Sequence, residues 1–96
     1  MAVLRLTRFK TDPADAEEML ARRAALIAAV RQAHPGLLQA QLARVDNETW
    51  IDAWRWDSHT SAQAAIDGVS AIPEAGAAFS LTRDATAEFA DVIDER

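Results

Sequence analysis

The chain has no cysteine. Disulfides, thiolate metal sites and a cysteine nucleophile are excluded together. A reducing cytoplasm suits such a chain and is the expected location. Tyrosine is absent too, so no phenol donor serves its chemistry. There is no run of basic residues, and the formal net charge is −5. Nucleic acid and anionic membrane surfaces are poor partners for such a charge, because both are held by Lys and Arg. No apolar run reaches membrane-spanning length, and the opening "MAVLRLTRFK" lacks the layout of a secretion signal. No glycine-rich phosphate loop, no HExxH and no paired-carboxylate motif is present. The two histidines, His34 and His59, stand in unlike settings, the first at a helix end and the second after a helix cap. No metal and no cofactor are therefore expected.

What is present is half apolar by composition, within 96 residues. That predicts one globular domain, residues 1–96, with a thin core. "AVLRLTRFK", Ala2 to Lys10, alternates as a strand does, with Val3, Arg5, Thr7 and Phe9 on one face and Leu4 and Leu6 on the other. One long helix follows. Asp12 is its cap, Pro13 its first residue, and Ala16, Met19, Leu20, Ile27 and Val30 form its apolar stripe. Pro35-Gly36 ends it. Leu37 to Val45 reads as a second strand, Asp46 to Glu48 as a tight turn, and Thr49 to Trp56 as the returning strand. Ser58 or Thr60 caps a second helix that Gly68 interrupts. "IPEAGAAFSL" adds a helical piece, and "ATAEFADVIDER" reads as a last strand with helix as the alternative.

This order predicts an α+β, ferredoxin-like βαββαβ sandwich: a four-stranded antiparallel sheet, first and third strands central, with the helices on one face. Leu4, Leu6, Ile51 and Ala53 then point away from the helices. An apolar outer face needs a further layer, and a second copy of the chain, sheet against sheet, is the simplest one.

All three tryptophans lie in "NETWIDAWRWDS". Alternation puts Trp50, Asp52, Trp54 and Trp56 together on the helix-facing side. They either fill the core or line a flat pocket. Alanine-rich helices opposite, indole N–H groups that need acceptors, and a carboxylate among the rings argue against core alone and leave both open. Asp52 must be paired on such a face, for which Arg5 of the adjacent strand is one partner, or else reach solvent at a pocket mouth.

The stretch from His34 to Ile66, with Pro35-Gly36 after the first helix, a β-hairpin and Trp56-Asp57-Ser58 opening the second helix, resembles the antibiotic biosynthesis monooxygenase family. The resemblance implies a ferredoxin-like subunit, a homodimeric α/β barrel, and a cavity between sheet and helices with Trp56 on its wall. It also implies a division of activities, between cofactor-free monooxygenases acting on anthrone-like or quinol-like aromatics and haem-degrading relatives. The haem branch uses an asparagine near the position of Thr7, a histidine late in the second helical region, and the motif tryptophan. Here only Trp56 remains, and "AGAAFSLTRD" has no histidine. The quinone-forming branch draws in part on a tyrosine, which this chain lacks.

The expected activity is thus cofactor-independent oxidation of a small phenol, anthrone or quinol by O2. A deprotonated phenol or quinol passes an electron to oxygen readily, so the protein needs only to accept a proton, hold the anion and exclude water. Asp52 is the expected proton acceptor and Trp56 the second catalytic residue. Arg5, Thr7, Trp50, Trp54 and His59 are the expected substrate-binding residues. The competing reading is an aromatic-binding protein of the same fold without turnover.

Overall fold

The computed structural model describes residues 1–96. Strand β1, Val3–Lys10, pairs antiparallel with β3, Thr49–Trp56, from Val3 opposite Trp56 to Lys10 opposite Thr49. Strand β2, Leu37–Arg44, flanks β3, and β4, Arg83–Asp91, flanks β1, so the order is β2-β3-β1-β4. The two central strands are the expected ones, and the fold is the ferredoxin-like sandwich. The final segment is a strand, not a helix, and begins two residues before its expected start. At that start Asp84 adopts a φ of 55°, beside a register shift between Arg8 and Lys10 of β1. An aspartate tolerates this left-handed backbone better than most residues.

The first helix starts as a 3-10 turn, Pro13–Asp15, before the α-helical α1, Ala16–Ala33. Asp12 caps it as expected, its side chain accepting the Ala14 N–H at 2.9 Å. The apolar stripe differs from expectation. Met19, Leu26 and Val30 are buried, Ile27 and Ala16 pack beside them, and Leu20 is 44% exposed. The buried residues are spaced by seven and four, and Leu20 lies one step, about 100°, off that line.

Two turns fix the chain around β2 and β3. Gly36 sits against the start of the next helix: a Cβ there would lie 2.8 Å from both Asp57 Oδ1 and Ser61 Cβ. The Asp57 N–H also donates to the Gly36 carbonyl at 2.9 Å. The Pro-Gly turn and the Trp-Asp-Ser segment are thus one contact, and only glycine fits it. In the hairpin, Asp46 accepts the Glu48 and Thr49 N–H groups at 2.9 and 2.8 Å. These bonds, the Glu48 one foremost, hold its carboxyl below the ordinary value near 3.8.

Helix α2, His59–Asp67, is capped by Ser58, which accepts the Ser61 N–H at 3.1 Å. Thr60 is inside the helix. Gly68 ends it, a 3-10 turn covers Val69–Ala71, and α3, Pro73–Phe79, begins on its proline. No helix is long and apolar enough to cross a membrane.

The helix–sheet layer holds two separate apolar clusters. One joins Val3, Leu26, Val30, Leu37 and Trp56 to Ala62, Ala65, Ala75 and Ala78. The other joins Phe9, Met19 and Trp50. At the first cluster the helical alanines Ala62, Ala65, Ala75 and Ala78 pack in one group with Trp56. They let the helices close on the indole, which is 3% exposed. Small residues against a large one make for a filled layer here, by the same complementarity that packs any core.

Candidate functional site

The two clusters occupy opposite ends of the sheet, and the rungs between them mix polar side chains with apolar ones: Trp54 and Phe89 pack against the larger cluster and Leu42 against the smaller. Thr7 stands opposite Asp52, and Arg5 opposite Trp54. Ala87 and Phe89 of β4 continue these rungs on one side, Leu42 and Ala40 of β2 on the other. All face the helices, since ladder partners share a face. We call this band the waist. Of the expected site residues it brings together Arg5, Thr7, Asp52 and Trp54. Arg5, Thr7 and Trp54 are half-buried, and Asp52 is buried.

Asp52 is not paired with Arg5. Its partner comes from above the sheet: Arg23 of α1 donates from Nε to Oδ2 and from Nη2 to Oδ1, both at 2.9 Å. The geometry is the bidentate fork that arginine makes with carboxylates. Register explains the change of partner, because Arg5 faces Trp54 and Thr7 is the residue opposite Asp52. Arg23 was missed in the sequence because it is charged. Yet it lies four residues after Met19 and three before Leu26, on the buried stripe of α1. A cation at such a position calls for a buried anion on the facing layer.

Arg5 instead stacks on β4. Its guanidinium carbon lies 4.6 Å from the ring centroid of Phe89. The same ring meets His59, with centroids 4.5 Å apart. His59, exposed at the start of α2, therefore reaches the waist from its rim. Phe89 was also missed; only the facing of β4, unreadable among its alanines, would have singled it out. The three tryptophans divide. Trp56 lies in the larger cluster, its ring centroid 6.5 Å from that of Trp54. Trp50 lies in the smaller cluster under Arg44, and its Nε1–H is buried without an acceptor. Trp54, between them, is the accessible one.

There are two surface concavities of about 310 Å³. One is on the sheet around Leu6, Arg8, Ile51, Thr86 and Glu88, with Thr7 and Ala87 also in its lining. The other is beside α3, around Val69, Ile72, Pro73 and Phe79. Neither is lined by a tryptophan. No group of three His, Asp or Glu side chains is arranged to hold a metal ion. His34 caps α1 through its backbone N–H, which donates to the Val30 carbonyl, and its ring lies by Gly68, away from the waist.

No curated protein sequence matches the chain. Among solved structures, SnoaB, a cofactor-independent oxygenase from Streptomyces nogalater, superimposes with a TM-score of 0.74 at 22% identity, over 98% of this chain and 95% of that one. A Caulobacter crescentus protein described as a putative antibiotic biosynthesis monooxygenase gives 0.78 at 23% identity, over 97% and 91%. MhuD, in a mutant holding two manganese protoporphyrin IX molecules per active site, gives 0.68 at 20% identity, over 98% and 97%. At these identities the likeness establishes the fold. The family profile goes further: that of the antibiotic biosynthesis monooxygenases matches residues 2–69, so this chain belongs to the antibiotic biosynthesis monooxygenase family.

Proposed function

We propose that the chain is a cofactor-independent monooxygenase that oxidises a small phenol, anthrone or quinol with O2 at the waist. The observation that carries this reading is the interruption of the core. An accessible indole, an ion-paired carboxylate and a second guanidinium share the helix-facing side of β1 and β3, where apolar packing would be the cheaper choice for stability. A flat aromatic lies against Trp54. Asp52 accepts its hydroxyl proton: Arg23 uses one lone pair on each oxygen, and the others remain free. Thr7 and His59 bound the ring, and Trp56 fixes Trp54 from behind. The packed indoles Trp50 and Trp56 act on the substrate through Trp54 and the sheet. With an anthrone, the activated CH2 becomes a carbonyl, one oxygen atom of O2 is retained and the other leaves as water. The substrate supplies all the electrons, so no flavin or metal is needed for the balance.

The working unit in this proposal is a cytoplasmic homodimer, with Leu4, Leu6, Ile51 and Ala53 of the outer sheet face covered by a second copy. Sedimentation equilibrium tests that element separately. The second reading, an aromatic-binding protein without turnover, draws on the close packing of Trp56 and on the occupation of both Asp52 oxygens by Arg23. Haem binding, as in MhuD, has less support, since Ala75 to Asp84 contains no histidine.

The test is oxygen consumption by purified protein over a panel of anthrones and quinols, with no cofactor added. Uptake above the spontaneous rate, lost in Asp52→Asn and reduced in Trp54→Phe and Trp56→Phe, supports the monooxygenase. Binding of the same compounds without uptake would sink it and leave the binding protein.

A further inference from the structure

The arginines of this chain fall into two groups. Arg22, Arg23, Arg55, Arg83 and Arg96 each have a carboxylate partner. Arg5, Arg8, Arg31 and Arg44 do not, and of these Arg8, Arg31 and Arg44 are exposed, where water solvates the charge. Arg5 differs. It is half-buried on the helix-facing side of a central strand, with neither an ion pair nor a protein hydrogen bond. Its nitrogens still touch water, since none is among the buried polar atoms left without a partner, so the group is solvated but holds no anion.

Its one close contact says which part of the group is free. The guanidinium carbon lies over the Phe89 ring, 4.6 Å from its centroid, a cation–π contact that needs no hydrogen bond. No protein acceptor takes its N–H donors, so the fork is unused. That fork suits two oxygens of an anion. The charge of the waist points the same way. Two guanidiniums, Arg5 and Arg23, face one carboxylate, Asp52, so the band is cationic within a chain of net charge −5. The other carboxylate of this face, Asp91, lies at its edge, opposite Val3, and is exposed.

We propose that the waist selects an anionic aromatic, a planar ring system bearing a carboxylate or ionised phenol whose oxygens bind the Arg5 fork. The proposal deepens the reading of the waist as an aromatic site and rests on it. Arg5 is then the residue that determines specificity, and it discriminates by charge, while Trp54 supplies the flat wall.

Calorimetric titration with 2-naphthoate and the neutral 2-naphthalenemethanol separates charge from ring. Wild type should bind the carboxylate at least ten times more tightly. Arg5→Gln should abolish the preference while keeping the weak ring affinity. Arg5→Lys, which keeps the charge but not the fork, should retain only part of it. Arg8→Gln, on the exposed outer face, should change nothing. Added salt should narrow the gap, as for any exposed-edge ion pair. 2-Naphthol, measured on either side of its own ionisation, tells whether a phenolate serves as well as a carboxylate; tightening on ionisation in wild type alone supports the phenolate. Equal affinity for acid and alcohol, or a preference that survives in Arg5→Gln, overturns the charge selection and leaves the aromatic site standing. Binding of neither ring overturns both.

Discussion

The Arg23–Asp52 pair tests the waist most directly through stability. The two side chains are 17% and 12% exposed, and both hydrogen bonds are 2.9 Å long. Such a pair is largely desolvated, so removing one partner strands the other charge. Breaking a buried pair costs about 3–5 kcal/mol; with some water reaching both groups, about 2–4 kcal/mol is expected for Asp52→Leu or Arg23→Met alone. In a domain of this size each kcal/mol moves Tm by roughly 4–8 °C, so either single variant should melt at least ~8 °C below wild type. The double variant removes both charges and leaves two apolar side chains of suitable length. It should recover to within about 1 kcal/mol of wild type. The assay is a double-mutant cycle by circular dichroism, in heat and in urea, at one fixed protein concentration so that any self-association contributes equally. Additive losses in the double variant would refute the argument, as would a single variant that shifts Tm by less than ~4 °C. Either result would mean that the pair is solvated like a surface bridge.

Three further outcomes follow from the fold. The lowered pKa of Asp46 means that its contribution is fully present above pH 3.8 and is lost as pH falls through the lowered value. Urea midpoints of wild type and Asp46→Ala should therefore differ at pH 7 and converge in acid; a gap that persists well below the lowered value would contradict the assignment. Ser58→Ala removes the cap bond to Ser61 and should cost about 1 kcal/mol by urea denaturation, the usual loss for such a cap. The divided core predicts graded amide exchange. Amides near Phe9 and Trp50, backed by the smaller cluster, should exchange through openings of lower free energy than those near Val3 and Trp56, and uniform protection along β1 and β3 would argue against two clusters.

Most of the fold was legible because its signals are local. Alternation in β1 and β3 set the helix-facing side, Asp12 and Ser58 marked helix starts, and Asp46 to Glu48 marked the hairpin. The errors came where partners decide. Leu20 and Leu26 are both leucines on one helix, and only the line through Met19 and Val30 selects the second. The alanines of α2 and α3 fit a cavity or a close approach equally well in sequence; distance to Trp56 distinguishes them. Asp52 announced that it needed a partner. In sequence Arg5 was the only candidate, and the strand register excluded it by placing Trp54 opposite, while Arg23 of α1 supplied the pair.

The same register accounts for three tryptophans in one strand. β3 runs the full length of the helix-facing layer, and residues two apart on it are separated by roughly 6.5–7 Å. Trp50 therefore lands in one apolar cluster and Trp56 in the other, while Asp52 and Trp54 fall on the rungs between. The end tryptophans each anchor one half of a core that the waist divides. That anchoring lets the middle rungs remain polar, since each half is closed by its own large ring. A fully apolar strand would join the halves into a single, more stable core. The tryptophans thus divide by position: the outer two are core, and the central one, packed beside the larger cluster, is the least buried of the three.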